Sequence, residues 1–284
     1  MGLKEGDIVT LRTLAWGMLL SSGNDAAVAL GEHVCGVTEL FIDRMNEKAA
    51  ALGMHDTHFV NCTGLTAEGH LTSAYDIALM SRELLLRYPQ IRDYTTIWMD
   101  TIRNGTFGLS NTNKLIRFYD GATGLKTGYT DRAGYCISAT AERDGMELIA
   151  VIMRGETADK RNEDAKTLLN YGFSAYALTD ALPEEPLPML PLTLGKETSV
   201  PLTLPEEARF LLLEKGQRDA LSHRIDLPET AQAPITAGQR LGTLTVYSGE
   251  EVLKTLPLVA AEDVAQLSWG EMARMMLRQA VFCP

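Results

Sequence analysis

The sequence predicts an α+β fold. Helix-period segments fill much of the first 90 residues, a strand–turn–strand unit follows the midpoint of the first 180, and short alternating apolar runs broken by proline and glycine lie beyond. Residues 10–20 and 26–34 carry apolar side chains at helical spacing, the second run alanine-rich. Residues 38–52 place Phe41, Met45, Ala49 and Leu52 on one face and stop at Gly53, a residue type that closes helices. Ser73-Ala74-Tyr75-Asp76 is a capping sequence for a helix that runs through Met80 and Leu84 to about Arg87, before Pro89. Strand-like segments are expected around residues 95–102. Residues 134–141 and 146–153 read as two strands joined at Asp144-Gly145, a dipeptide suited to a two-residue hairpin turn. Residues 159–176 return to helix, with Ala165, Leu168, Leu169 and Phe173 on one face.

A composition break follows. Pro183, Pro186, Pro188 and Pro191 are too many for a helix or a central strand, so residues 178–191 are expected to form a linker after a domain spanning 1–177. Residues 192–261 have the pattern of a small all-β domain. Residues 262–284 read as an amphipathic helix, apolar at Leu267, Trp269, Met272, Met275, Met276, Leu277, Val281 and Phe282. Its tryptophan, methionines and arginines suit the plane of a membrane surface, and packing on its own domain is the alternative.

Composition narrows the function. The 284 residues are 45% hydrophobic and 22% charged, which fits one large domain plus a smaller one. A net charge of -11 argues against nucleic acid as a general partner while leaving room for local basic sites. Cys35, Cys62, Cys136 and Cys283 lie far apart with no Cys-x-x-Cys pair, so free thiols are expected, not zinc or a disulfide framework. His55 and His58 share a loop with no further ligand at metal spacing, and no metal or cofactor is expected. No run of about eighteen apolar residues could cross a membrane, and the first residues do not form a signal peptide.

Two short stretches carry chemistry. Lys126-Thr127-Gly128, just before the hairpin, offers a cation, a hydroxyl and a backbone that a ligand can approach closely at Gly128, which suits an anionic, peptide-like substrate. Taken alone the triplet reads as an ordinary exposed turn. Ser22-Gly23-Asn24, between the first two helices, is by itself a helix cap. Arg161 stands in a first helical turn, where a cation opposes the helix dipole.

In combination these stretches resemble the penicilloyl-serine transferases, whose motifs are Ser-x-x-Lys, Ser-x-Asn and Lys-Thr-Gly. Within that superfamily the chain is similar to the low-molecular-mass penicillin-binding proteins, the D-alanyl-D-alanine carboxypeptidases. The shared wording is Leu3-Lys4-Glu5-Gly6-Asp7, Ser22-Gly23-Asn24-Asp25-Ala26, Thr57-His58-Phe59-Val60-Asn61, Asp120-Gly121, Ala133-Gly134-Tyr135 and Leu168-Leu169-Asn170-Tyr171-Gly172-Phe173. The resemblance implies a β-lactamase/transpeptidase-like domain, an antiparallel sheet with helices, followed by the β domain and terminal helix. It implies acyl transfer from a peptidoglycan stem peptide ending in D-Ala-D-Ala, susceptibility to β-lactams, and a place on the extracytoplasmic face of the cell membrane.

It also implies roles. Ser22 relays protons to the leaving amine, and Asn24 orients the substrate amide. Lys126 supplies positive charge, Thr127 and Arg161 bind the carboxylate, and the backbone around Gly128 and Tyr129 lends an oxyanion donor. One departure stands out: no serine in the sequence is followed three positions later by lysine, so the acylating serine and its base are missing. The expectation is therefore an N-terminally truncated catalytic domain, inactive as given and prone to association through an uncovered sheet. The alternatives are a non-catalytic protein that binds D-alanyl peptides and a β-lactamase-like hydrolase.

Overall fold

The computed structural model describes residues 1–102 and 105–274, which divide into two units, Met1–Phe173 and Ser174–Pro284. In the first unit, α1 (Leu11–Ser21) starts where the Thr10 hydroxyl accepts the Thr13 N–H at 3.1 Å. It ends at Ser22, which adopts a left-handed conformation (φ 57°, ψ 41°) and turns the chain at once into α2 (Asn24–Cys35). α3 (Thr38–Ala51) follows, and α4 (Ala74–Arg87) starts on the Ser73 hydroxyl, which accepts the Asp76 N–H at 3.2 Å. The Asp76 carboxylate reaches back to the Asp56 N–H (2.9 Å) and the Thr57 hydroxyl (2.7 Å), fixing the loop between the two helices. Asn46 clips that loop from α3, its amide pairing with both backbone groups of Phe59 at 2.8 and 2.7 Å.

The segment expected to be strand from residue 95 is split. Arg92–Thr95 is a helical turn, α5, and the strand β1 begins only at Met99 and runs to Ile102, antiparallel to β2 (Phe107–Ser110). Thr95 is withdrawn from strand because its hydroxyl donates to the Thr123 carbonyl at 2.6 Å from a site that is 1% exposed. Leu109 and Ile102 bury against Leu20 at the end of α1. After the short α6 (Leu115–Phe118) comes the antiparallel sheet of β3 (Ala122–Thr130), β4 (Gly134–Arg143) and β5 (Met146–Gly155). Asp144 and Gly145 both have positive φ (51° and 75°), as a two-residue hairpin turn demands. Ile137, Ala139 and Ala141 are buried along β4. α7 (Ala158–Ala175) buries Ala165, Leu169 and Phe173. Among the described residues no strand pairs with the far edge of β5, the sort of edge on which chains add to one another.

The second unit is mostly strand, and two boundaries differ from expectation. Its first strand, β6 (Tyr176–Asp180), pairs antiparallel with β10 (Phe210–Glu214), so residues 178–180 belong to a sheet and not to a linker. The proline-rich residues that follow are irregular up to β7 (Leu190–Thr193), which pairs with β8 (Ser199–Val200) and, in parallel, with β12 (Ala231–Gln232). The main sheet runs β11 (Leu221–Asp226), β13 (Arg240–Ser248), β14 (Glu251–Ala260), β9 (Leu202–Thr203), over a core including Val200, Leu244, Val246 and Leu258. The terminal helix does not start at 262: Val264 is 2% exposed and exchanges both backbone hydrogen bonds with Ile235 at 2.9 Å, and residues 269–274 are the first helical ones. The rest of the amphipathic stripe, and with it most of the expected membrane-facing surface, lies outside the described residues. No helix among those described is long and apolar enough to cross a membrane.

The turn ahead of β3 is sterically specified. Gly121 has φ +77°, and a Cβ there would lie 2.4 Å from the Glu142 carbonyl oxygen, while Gly145 has a similar φ (+75°) and open space around it. Gly145→Ala is expected to cost about 1 kcal/mol from left-handed strain alone, and Gly121→Ala at least about 2 kcal/mol because the backbone of β4 must also shift. Thermal unfolding of the two variants separates the terms, and equal melting points would contradict the account.

Candidate active site

The site forms where the α1–α2 junction meets β3. With Ser22 left-handed, its exposed hydroxyl projects from the end of α1 and accepts a hydrogen bond from Lys126 Nζ at 2.9 Å, across 104 residues of sequence. The same ammonium donates to its neighbour's carbonyl, Thr127 O, also at 2.9 Å. Two neutral oxygens are all that it engages, and no carboxylate lies within ion-pair distance of it among the described residues. Burial, reinforced by the nearby Arg161 guanidinium, holds the Lys126 amine down to about 8. Asn24, the first residue of α2, is exposed, and its amide makes no hydrogen bond among the described residues.

Arg161 sits on the first turn of α7 and is 4% exposed. Its Nε and Nη2 donate to Asn162 Oδ1 (3.1 and 2.9 Å) and its Nη1 to the Cys136 carbonyl (3.4 Å). Burial lowers its pKa from the ordinary arginine value, partly offset by the neighbourhood of Cys136 and Asp159. No carboxylate lies within ion-pair distance of this guanidinium either, among the described residues. A half-buried ammonium and a buried guanidinium thus stand near one another with no carboxylate in ion-pair contact with either among the described residues, an arrangement that favours an incoming anion.

Thr127 is 9% exposed, and its hydroxyl lies 2.6 Å from that of Thr112. Gly128 has ordinary φ and nothing within 4 Å of where a Cβ would stand, so the space over it is open. Tyr129 is exposed, its ring 4.4 Å from that of its cross-strand partner Tyr135 and its hydroxyl donating to Asp131 at 2.9 Å. Tyr129 therefore lies on the open continuation of the strand, beside a groove lined by Leu65, Thr66, Thr130, Asp131 and Arg132.

What the sequence reading did not supply is the clamp behind these residues. Asn111 and Asn113 are 4% and 1% exposed. Asn111 Nδ2 donates to the carbonyls of Thr95 (3.0 Å) and Ile97 (2.9 Å), and its Oδ1 accepts the Asn113 N–H (2.9 Å). Asn113 Nδ2 donates to the Gly124 carbonyl at 2.8 Å and so holds β3 directly. Beyond it, Arg92 pairs with Glu147, whose carboxylate also accepts the Thr123 hydroxyl at 3.1 Å. The only local signal was the Asn-Thr-Asn string, which reads equally as a loop.

A three-stranded antiparallel sheet whose outer strand offers Lys-Thr-Gly to a serine at a helix–helix junction, followed in the chain by a β unit, defines the penicillin-binding-protein class. The D-alanyl-D-alanine carboxypeptidase family profile matches residues 1–157, and that of the penicillin-binding protein 5 C-terminal domain matches residues 189–266. The chain belongs to the D-alanyl-D-alanine carboxypeptidase family. D-alanyl-D-alanine carboxypeptidase DacF of Bacillus subtilis (strain 168) is 38% identical over 266 residues, covering 92% of this chain and 68% of its own length. Penicillin-binding protein 6B of Escherichia coli superposes with a TM-score of 0.71 at 31% identity, over 92% of this chain and 72% of that one. Penicillin-binding protein D2 of Listeria monocytogenes, solved in a cefotaxime-bound form, matches 58% of this chain and 67% of its own at 38% identity, with a TM-score of 0.55.

The Lys126 amine gives the site a titration signature. Since its folded pKa, about 8, lies below the ordinary 10.5, the unfolded chain binds the extra proton between those values. The contribution of this group to stability therefore rises as pH increases from about 8 to 10.5, and Lys126→Met is expected to flatten that rise. Removing the guanidinium charge with Arg161→Gln is expected to move the amine's midpoint upward from about 8, read by NMR of the lysine side-chain carbons. A downward or absent shift would show that the two cations do not sense each other.

Proposed function

We propose that this chain recognises and handles the D-Ala-D-Ala terminus of peptidoglycan stem peptides, as part of a serine-type carboxypeptidase. The observation that carries the reading is the contact of Lys126 with Ser22 near the buried Arg161 guanidinium, with no carboxylate in ion-pair contact with either cation among the described residues. A C-terminal carboxylate entering over Gly128 would neutralise Lys126 and Arg161, and the free Asn24 amide would pair with the substrate's peptide bond. Ser22 then serves as the proton relay to the departing D-alanine amine, with Lys126 setting the polarity of that hydroxyl. The backbone at Tyr129 is the assigned oxyanion donor, because open strand lies there beside Gly128.

Acylation itself needs a nucleophile, and this sequence has no Ser-x-x-Lys. A polypeptide of these 284 residues is thus a recognition and proton-handling half, without the covalent step that a carboxypeptidase or a penicillin adduct requires. β-Lactams, which present a carboxylate beside a strained amide, enter the same cleft where a nucleophile is supplied. The place of action is the extracytoplasmic face of the cell membrane, where stem peptides are exposed.

Two measurements test this. Incubation of the purified chain with a fluorescent penicillin is expected to leave no covalent label, and a label mapped to a serine by mass spectrometry would overturn the half-site reading. Non-covalent binding of N-acetyl-D-Ala-D-Ala, followed by NMR titration, is expected to weaken as pH rises through about 8, because the amine loses its charge there. In Lys126→Arg, which stays charged, the same titration is expected to be flat over pH 7–9.

A further inference from the structure

The long loop between α3 and α4 is built as a ladder with one rung of a different kind. Its two legs are joined by the Thr57 and Thr72 hydroxyls at 2.9 Å and by a bridge in which His58 and Leu71 exchange both backbone hydrogen bonds, at 2.9 and 3.0 Å. Further out the backbone pairing stops. There the Val60 N–H donates to Nδ1 of the His70 ring at 2.9 Å, and that ring stands edge-on to Phe59 at 5.9 Å. Beyond this rung the tip is tied to itself: Asn61 Oδ1 accepts the N–H groups of Thr63 (3.1 Å) and Gly64 (2.8 Å), and its Nδ2 donates to the Leu65 carbonyl at 2.8 Å. Among the described residues, the hydrogen bonds of residues 61–69 all stay within the loop, so the tip is a small braced unit whose last tie to the other leg is His70. Leu65 and Thr66 of that tip line the groove beside Tyr129, Thr130, Asp131 and Arg132.

The chemistry of the rung follows from its donor. A backbone N–H can only donate, so Nδ1 must offer a lone pair and the proton of the ring sits on Nε2. A proton added to Nδ1 would set two donors against each other, breaking the rung and leaving the Val60 N–H without its acceptor. We propose that His70 is a pH-operated latch: neutral, it holds the tip that forms one wall of the groove, and protonated, it releases that tip. Partial burial, and after it the charge of His58 on the same loop, hold His70 below the ordinary 6.5, so the latch is closed at neutral pH and opens as pH falls through the folded midpoint. α3 meets this part of the loop with the uncharged Asn46, and Glu32 of α2 acts at the Cys62 thiol, which burial raises and that carboxylate raises further. No carboxylate lies within ion-pair distance of the His70 ring among the described residues. The device does not depend on which ligand enters the groove.

The test follows the full chain by NMR from about pH 7.5 down to about pH 5, the range in which histidine titrates. At neutral pH the His70 ring is expected as the Nε2–H tautomer, and the Leu65 methyl and Thr66 amide signals are expected to move with the His70 midpoint, below 6.5. His58→Gln is expected to raise that midpoint by removing the neighbouring charge. His70→Asn, whose side-chain oxygen takes the place of Nδ1 and does not titrate, is expected to keep the tip signals in their neutral-pH positions throughout. In His70→Ala the Val60 amide is expected to exchange with solvent about tenfold faster than in the wild type at the same neutral pH, the loss of one hydrogen bond. Tip signals that stay still while His70 titrates overturn the latch, as does an Nδ1–H tautomer at neutral pH. A His70→Asn chain that keeps the pH dependence of the wild type overturns it too, by assigning the movement to another group.

Discussion

The arrangement of this protein turns on a lysine that is half withdrawn from water without a counter-ion among the described residues. Lys126 is held by two neutral oxygens, the Ser22 hydroxyl and the Thr127 carbonyl, each at 2.9 Å. Neutral acceptors compensate a buried ammonium only in part, which is why its amine sits at about 8 and not at the usual 10.5. A carboxylate partner from the protein would have stabilised the charge and closed the site. Leaving that place open stores an electrostatic preference for an anion that must come from elsewhere, and the unneutralised Arg161 deepens it.

Holding such a cation in position takes more structure than the three-residue motif contains. β3 is tied by Asn113 at Gly124, by Thr95 at Thr123 and by Glu147 at the Thr123 hydroxyl. These groups come from α5, from the loop after β2 and from β5, so the strand that carries Lys126 is fixed from several directions. The helix junction is fixed differently, by its own backbone: Ser22 in the left-handed region ends α1, and the Gly23 N–H reaches the Gly17 carbonyl at 2.9 Å. A serine in that conformation is an uncommon use of the residue, and it is what turns the hydroxyl outward instead of letting it cap the helix.

The parts of this fold that were legible in the sequence are those decided by near neighbours. The cap at Ser73, the Asp144-Gly145 turn and the glycine stop at Gly53 depend on residues within a few positions, so the local sequence reveals them. Where a distant segment decides, local reading fails. Thr95 looks like strand and is helical because its hydroxyl is wanted by Thr123. Residues 178–180 look like the head of a linker and become strand because β10 supplies their partners some thirty residues later. Val264 fits a helical stripe but is taken into a bridge by Ile235. The candidate site shows the same division: Ser22, Asn24 and Lys126 could be singled out by their motif pattern, whereas the clamp of Asn111 and Asn113 could not, since asparagines in a polar loop carry no signal until the distant carbonyls they hold are placed beside them.

The proposed recognition of a carboxylate separates on physical grounds from the acylation step. Recognition of a carboxylate needs only fixed charge and fixed donors, and the groups proposed for it stand on β3 and on the first turn of α7, each anchored by hydrogen bonds within the first unit. Bond making needs in addition a nucleophile aligned with the substrate carbonyl, and none of the anchoring contacts depends on one being there. On that proposal, the geometry that selects a ligand is separable from the chemistry performed on it.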